Sequence, residues 1–503
     1  MLNIGIGKSL LNFNKSVPMA GYSTFGKSST GIGCNLTATC FNINNNMYIV
    51  TVDLHGMSCL LVQSIVEYCN LRGYKNITRR NLVVSATHTH TAMGGFYDSD
   101  MYNAFTSNSC GFIKPVFDFL VKKISKAVIL SHKHQQPCTQ ITHTLGELSK
   151  IQINRSFNKS ACNQINIITF INNNVKFASM IYISVHPTVT GCNYNKLSSD
   201  FFGIARDILE DITYKVGFFN MAVGDHAPYF KLFLDKKDST YSEAYTQSES
   251  ECIRAGTNLA NQIKSILLNN KHCNLNINNI GLHHRYCDIY NKTFTDTSNN
   301  ILTTSKDPYM GCSALIGSKE AQSNIAKNFG IDYLNGEHLD DWYNIHDKKP
   351  ETFNILICPF MQKPAKVLRH CINNIYTMCT NYDLLDIPRE FNIFNYWFDT
   401  VSIYTSPFEM TSGACDEIIT ELKLKNPENT YIITSITDTY LSYLCNETDY
   451  NLQTYEAAAT LYGPYSCKYL LYCYLNININ DYIVKTEYSK NRANEGLHLI
   501  TAY

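Results

Sequence analysis

An α/β protein with a mixed β-sheet flanked by helices is what this 503-residue chain predicts, on three observations. Residues 47–95 read as strand, helix and strand, the unit that covers a sheet with helices. A hairpin pattern further on adds antiparallel pairing. Polar residues of ligand type recur just where apolar runs stop, which puts functional side chains at strand ends.

The first strand is MYIVTVD, ending at Asp53. A helix follows from Ser58 to Leu71, because Leu61, Ile65 and Cys69 lie four apart, as do Val62 and Val66, and Gly73 is placed to stop it. Leu82-Val83-Val84 is the next buried strand, and it gives way to Ser85-Ala86-Thr87 before His88 and His90. If the extended geometry persists, the two imidazoles point to one side. Gly94-Gly95 then frees the backbone to turn. Two imidazoles at the end of a buried strand suit zinc, which favours nitrogen ligands, although an H-x-H alone is more often a pair of ordinary loop residues.

Residues 115–130 predict an amphipathic helix with Pro115 at its start. After Ile151–Ser156, the runs INIITFI and VKFASMIYISV flank Asn172-Asn173-Asn174 as a hairpin, whose second strand delivers His186-Pro187. Asp200 heads the helical segment FFGIARDILEDI. The strand VGFFNMAV ends in Gly224-Asp225-His226-Ala227-Pro228. Residues 400–406 form a strand leading to Pro407-Phe408-Glu409 and a helix near Cys415–Leu424, and 430–437 form one leading to Asp438, Tyr440 and Tyr443. The stretch around 270–390 is less regular, and its histidines, His283, His284, His338, His346 and His370, read as surface or core residues because no ligand spacing recurs. No repeat or linker divides the chain, so one domain over 1–503 is expected.

Lys plus Arg and Asp plus Glu each number 42, so overall charge makes no case for nucleic acid or an anionic membrane as partner. No apolar run reaches 18 residues, and the first residues lack a core of signal-peptide length, from which a soluble, intracellular protein is expected. The nineteen cysteines contain no C-x-x-C pair and are expected as free, mostly buried thiols.

Several blocks resemble, in order, those of the neutral/alkaline (non-lysosomal) ceramidases. That family's T-H-T-H-S-G-P-G-G core is similar to Thr87–Gly95, its I-N-R-S-P to Ile153-Asn154-Arg155-Ser156-Phe157, and its A-I-H-P to Ser184-Val185-His186-Pro187. Its N-S-D-N-x-G is similar to Ser198–Gly203, its P-G-E-F-T-T-M-S-G to Ser406–Gly413 with the acid displaced by a residue or absorbed by a small gap, and its Y-T-H-Y-I-T-T to Tyr440–Asn446. Tyr455–Pro464 resembles its Y-E-A-A-S-T-I-Y-G-P. The resemblance spans about residues 18–466 and covers the family's catalytic domain, with no C-terminal β-sandwich expected.

The resemblance implies a zinc-dependent amidase that splits ceramide, or a related N-acyl sphingolipid, into sphingosine and a fatty acid, meeting the membrane surface only transiently as the source of substrate. It implies zinc on His88, His186, Glu409 and Tyr443, catalytic roles for His90, Arg155 and Tyr443, and substrate contacts from Asp225, His226 and Ala227. Such a donor set leaves room for water, whose pKa zinc lowers toward ~7. One departure stands out: the family's G-D-V-S-P-N is Gly224-Asp225-His226-Ala227-Pro228-Tyr229, and alanine offers no hydroxyl. A serine nucleophile at that position is therefore excluded, whereas attack by water is not. The alternatives are a catalytically impaired lipid-binding relative and a zinc hydrolase for another N-acyl amide. No protein partner is inferable.

Overall fold

The computed structural model describes residues 1–22, 26–104, 106–107, 111–156, 159–211, 214–231, 234, 243–306, 308, 314, 317–318, 388–452 and 454–477. The expectations for His338, His346 and His370 lie outside the described residues.

Three sheets carry the fold. The first contains β1 (Asn3–Leu10), β2 (Thr37–Ile43), β3 (Met47–Val52), β4 (Leu82–Ala86) and β5 (Gln135–Pro137), in the order β4-β3-β2-β1-β5. The second contains β6 (Gln140–Glu147), β8 (Gln164–Asn172), β9 (Val175–Ile183), β10 (Lys215–Asn220) and β12 (His272–Leu275), in the order β10-β9-β8-β6-β12. The third contains β13 (Ile280–Asp288), β16 (Glu390–Phe398), β17 (Val401–Thr405) and β19 (Thr430–Thr434), ordered β13-β16-β17-β19. Short pairs join β7 (Gln152–Asn154) to β11 (His226–Pro228), β14 (Thr293–Thr295) to β15 (Ile301–Thr303), and β18 (Glu409–Met410) to β20 (Tyr443–Leu444).

The mixed character is explicit in the pairing. Each main sheet is mostly antiparallel but holds one parallel step: β3 with β4, β9 with β10, and β17 with β19. The chain leaves the carboxyl ends of these strands as loops, which is where open α/β sheets place ligands. His88 follows β4, His186 follows β9, Asp225 follows β10, Glu409 follows β17, and Tyr440 and Tyr443 follow β19.

Local chemistry explains the elements that hold these ends still. The helix Cys59–Leu71 starts where Ser58 accepts from the Leu61 amide, and it buries Leu61, Val62, Ile65, Val66 and Cys69. Each such aliphatic side chain, fully removed from water, is worth roughly 1.5–3 kcal/mol before entropy is counted. The helix Lys114–Lys133 has its proline in the first turn and lies close on β1. A Cβ at Gly5 would sit 1.8 Å from the Ser131 carbonyl oxygen, and one at Gly7 1.9 Å from that of Ala127. Only glycine permits that approach. The helix expected near Cys415–Leu424 runs from Ser412 to Lys425, with Thr411 capping the Ala414 amide.

Two details differ from the sequence reading. The strand expected over VGFFNMAV stops at Asn220, because the backbone turns there to bring Gly224 against the Met410 carbonyl. The extended geometry expected through His88 and His90 ends at Ala86, and His88 adopts φ +69°. The His88 amide donates to Leu54, and Asn220 Nδ2 donates to the Thr87 carbonyl at 2.6 Å, so tertiary bonds hold this left-handed residue.

Candidate metal centre and active site

Three separate loops bring His88, His186 and Glu409 together in the interior. His88 Nδ1 lies 2.6 Å from the His55 carbonyl oxygen, and His186 Nδ1 lies 2.9 Å from that of His226. A carbonyl only accepts, so both Nδ1 atoms carry the proton and both Nε2 atoms are left to the site. Those Nε2 atoms are 3.1 and 3.2 Å from Glu409 Oε2, and His90 Nε2 is 3.2 Å from His88 Nε2. Lone pairs and a carboxylate converging without a cation between them would repel. Tetrahedral zinc bonds of 2.0–2.1 Å separate neighbouring donors by about 3.3 Å, so the spacing fits one ion at the focus. The carbonyl anchors are the outer partners that orient metal-binding histidines.

The surroundings favour a charged carboxylate. Burial opposes ionisation of Glu409, yet His88 and His186 hold its carboxyl well below the usual range. Burial pushes the His186 imidazole down, and the nearby Arg155 adds to the effect. Burial, with the neighbouring imidazoles, also lowers His90 and His55 well below the ordinary histidine value. The Tyr440 hydroxyl donates to Glu409 Oε1. Tyr443 pairs with Glu409 across β18 and β20, and burial followed by that carboxylate raises its phenol well above the usual value.

Arg155 enters from the end of β7. Its Nε donates to Glu456 at 2.8 Å, and one terminal nitrogen donates to the Gly224 carbonyl at 2.7 Å and to the Tyr443 hydroxyl at 3.0 Å. Two other buried carboxylates are engaged elsewhere: Asp53 pairs with Arg206 at 2.6 Å, and Asp200 accepts from the amides of Val189, Thr190 and Phe201.

Asp225, His226 and Ala227 are fully buried directly behind the site. The Asp225 carboxylate accepts from Asn154 at 3.0 Å and from the Ser412 amide at 2.9 Å, and lies 2.9 Å from His226 Nδ1. His226 Nε2 accepts from the Cys162 amide at 2.7 Å, while the His226 carbonyl takes both the amide and Nδ1 of His186. Ala227 pairs with Ile153 across β11 and β7. Sequence reasoning missed three contributors. His55, whose Nδ1 is 2.8 Å from the Tyr97 hydroxyl, stood alone without a motif. Glu456 and Tyr440 lay inside blocks that resembled the family but received no role.

Fold and site together define an α/β protein with a buried imidazole and carboxylate group of the kind that holds a transition metal. The sequence profile described as "Neutral/alkaline non-lysosomal ceramidase, N-terminal" matches residues 4–472. The chain belongs to the neutral/alkaline non-lysosomal ceramidase family. Neutral ceramidase 2 of Arabidopsis thaliana is 23% identical over 228 residues, 41% of this chain and 30% of that protein. Neutral ceramidase of Pseudomonas aeruginosa is 28% identical over 236 residues, 42% of this chain and 34% of the relative. The match thus spans about a third of these relatives' length. The crystal structure of neutral ceramidase from Pseudomonas aeruginosa aligns with TM-score 0.72 at 17% identity, covering 95% of this chain and 74% of the other. A structure described as ceramidase complexed with C2 aligns with TM-score 0.75 at the same identity, with coverage again 95% and 74%. Both establish the shared mixed-sheet fold. Every described cysteine is a free thiol, and no described helix is long and apolar enough to cross a membrane.

Proposed function

We propose that this protein is a zinc-dependent amidase that hydrolyses the N-acyl amide of ceramide, releasing sphingosine and a fatty acid. The observation that carries the metal is the fixed tautomers: two Nε2 lone pairs and Glu409 Oε2 meet with donor spacings near those of a tetrahedral zinc site. His88, His186, Glu409 and Tyr443 would hold the ion. When bound, it supplies a Lewis acid that polarises the amide carbonyl and activates water near neutral pH.

The chain's own residues supply the rest. Arg155 is pre-aimed by Glu456 and Gly224 and, with Tyr443, stabilises negative charge developing on the carbonyl oxygen. His90 takes a proton from the water as its oxygen bonds to the carbonyl carbon, and gives that proton to the amine nitrogen as the C–N bond breaks. Tyr440 keeps Glu409 from rotating. Asp225, His226 and Ala227 influence the headgroup through the backbone they fix, since that backbone seats both His186 and Arg155.

The test is incubation of zinc-loaded protein with short- and long-chain ceramides, with fatty acid and sphingosine measured together. Stoichiometric release of both supports the reading. Binding without release would identify an impaired relative, and cleavage of a different acyl amide alone would identify another substrate.

A further inference from the structure

The reaction described above gives the His55 side chain no part, yet its surroundings turn it toward the substrate. Its backbone carbonyl seats His88 Nδ1, and its ring packs among three site residues, with centroids 4.6 Å from His88, 5.1 Å from Tyr440 and 5.2 Å from His90. His55 and His90 are half-buried, whereas His88 and His186 are buried. These two imidazoles therefore border the accessible side of the site.

A single hydroxyl fixes what His55 presents there. The Tyr97 oxygen lies 2.8 Å from His55 Nδ1, and Tyr97 is only 2% exposed. Nδ1 is the acceptor that this hydroxyl meets among the described residues. A buried phenol proton needs an acceptor, so Tyr97 donates, Nδ1 accepts, and in the neutral ring the proton sits on Nε2. Among the described residues that Nε2–H has no partner, and it is not sealed from solvent.

A donor beside His90 faces a particular part of an N-acyl sphingoid substrate. His90 serves the amide nitrogen, while the carbonyl oxygen goes to Arg155 and Tyr443. The carbon that bears the nitrogen has a hydroxyl-bearing carbon on either side, which puts both oxygens three bonds from the atom His90 protonates. Resting on the amidase reading above, we propose that His55 is a specificity-determining residue whose Nε2–H donates to a hydroxyl of the sphingoid headgroup. Water can reach Nε2 when that hydroxyl is missing. The preference over a plain N-alkyl amide is therefore about two- to tenfold, not the far larger rejection that a sealed donor would give.

The test measures kcat/KM of the zinc-loaded full chain on a short-chain ceramide and on the matching N-acyl alkylamine that lacks both hydroxyls. His55→Phe keeps a flat ring and the backbone carbonyl that seats His88, so zinc content should hold while the ratio of the two values falls by about two- to tenfold. His55→Gln, whose amide reaches close to the position of Nε2, should keep part of the ratio. Tyr97→Phe frees Nδ1 from its donor and should lower the ratio in the same direction with His55 in place. That variant keeps the proposal testable if His55→Phe fails to fold. Equal losses on both substrates, or a ratio unchanged in His55→Phe and Tyr97→Phe, would overturn the proposal, and so would loss of zinc from His55→Phe, which would make the residue part of the metal's support. If the native protein cleaves neither substrate, the amidase reading falls, and the ratio is read instead from the dissociation constants of the two ligands by calorimetry. A ratio that His55→Phe lowers would keep the contact, and one that it leaves alone would end it too.

Discussion

Replacing Arg155 separates a group that stabilises charge in the reaction from one that merely fills the core. Its guanidinium bonds to Glu456, Gly224 and Tyr443, while only 2% of the Glu456 side chain is exposed. Arg155→Ala leaves that carboxylate buried beside no cation, which costs roughly 3–5 kcal/mol of stability. Burial already raises the Glu456 carboxyl and Arg155 opposes it, so the variant also drives Glu456 toward its neutral form. Losing a pre-aimed donor should lower kcat by about 10²-fold or more, equivalent to roughly 2.7 kcal/mol at the barrier. Lys is not expected to rescue the loss, since an ammonium lacks the planar fork that reaches three partners at once. The assay is fatty-acid release at saturating ceramide, with zinc content and urea unfolding measured on the same preparations. A folded, fully zinc-loaded Arg155→Ala protein with native turnover would return the residue to a purely structural role.

Three further outcomes are expected. His88→Ala or His186→Ala should strip the ion, because each removes one of the converging donors; full zinc occupancy in both, by mass spectrometry, would end the assignment. Ala227→Ser adds a hydroxyl at a buried position, so KM or headgroup preference should shift by about two- to tenfold and kcat less. A native protein that is inert, with activity restored by the serine, would instead mean that the hydroxyl is the nucleophile. Asp225 is held well below the usual carboxylate value; burial opposes this, but His226 and Ser412 outweigh it. The folded state then binds fewer protons there than the unfolded chain, so the contribution is present above about pH 3.9 and is lost as pH falls further. Asp225→Asn should flatten the acid limb of a stability-against-pH curve, and an unchanged limb would contradict that account.

Most elements were legible because their signals are local. Apolar spacing placed the helix over 58–71, observed at Cys59–Leu71, and the Asn172–Asn174 turn placed the hairpin of β8 and β9. The convergence of His88, His186 and Glu409 rests on no local signal; it follows from strand crossovers, and only ordered resemblance to a family pointed to it. The backbone at His88 was misread because period-two alternation assumes that a strand continues, whereas bonds from Leu54 and Asn220 impose a left-handed turn. Glu456 escaped notice for a related reason. Its partner Arg155 is 301 residues away, and a lone glutamate in a helical turn looks like solvated surface until the structure buries it.

His186 and Glu409 are 223 positions apart, which sets a timetable for the newborn protein. At about 5–20 residues per second, roughly 10–45 s of translation separate the second imidazole from the carboxylate. Through that interval the chain carries both histidines of the proposed site but lacks its carboxylate, Glu409. Ribosome-bound chains stalled before Glu409 should therefore exchange zinc freely, and those stalled after the second paired tyrosine has emerged should retain it. On the proposed zinc reading, stable retention of the ion waits for the segment that carries Glu409.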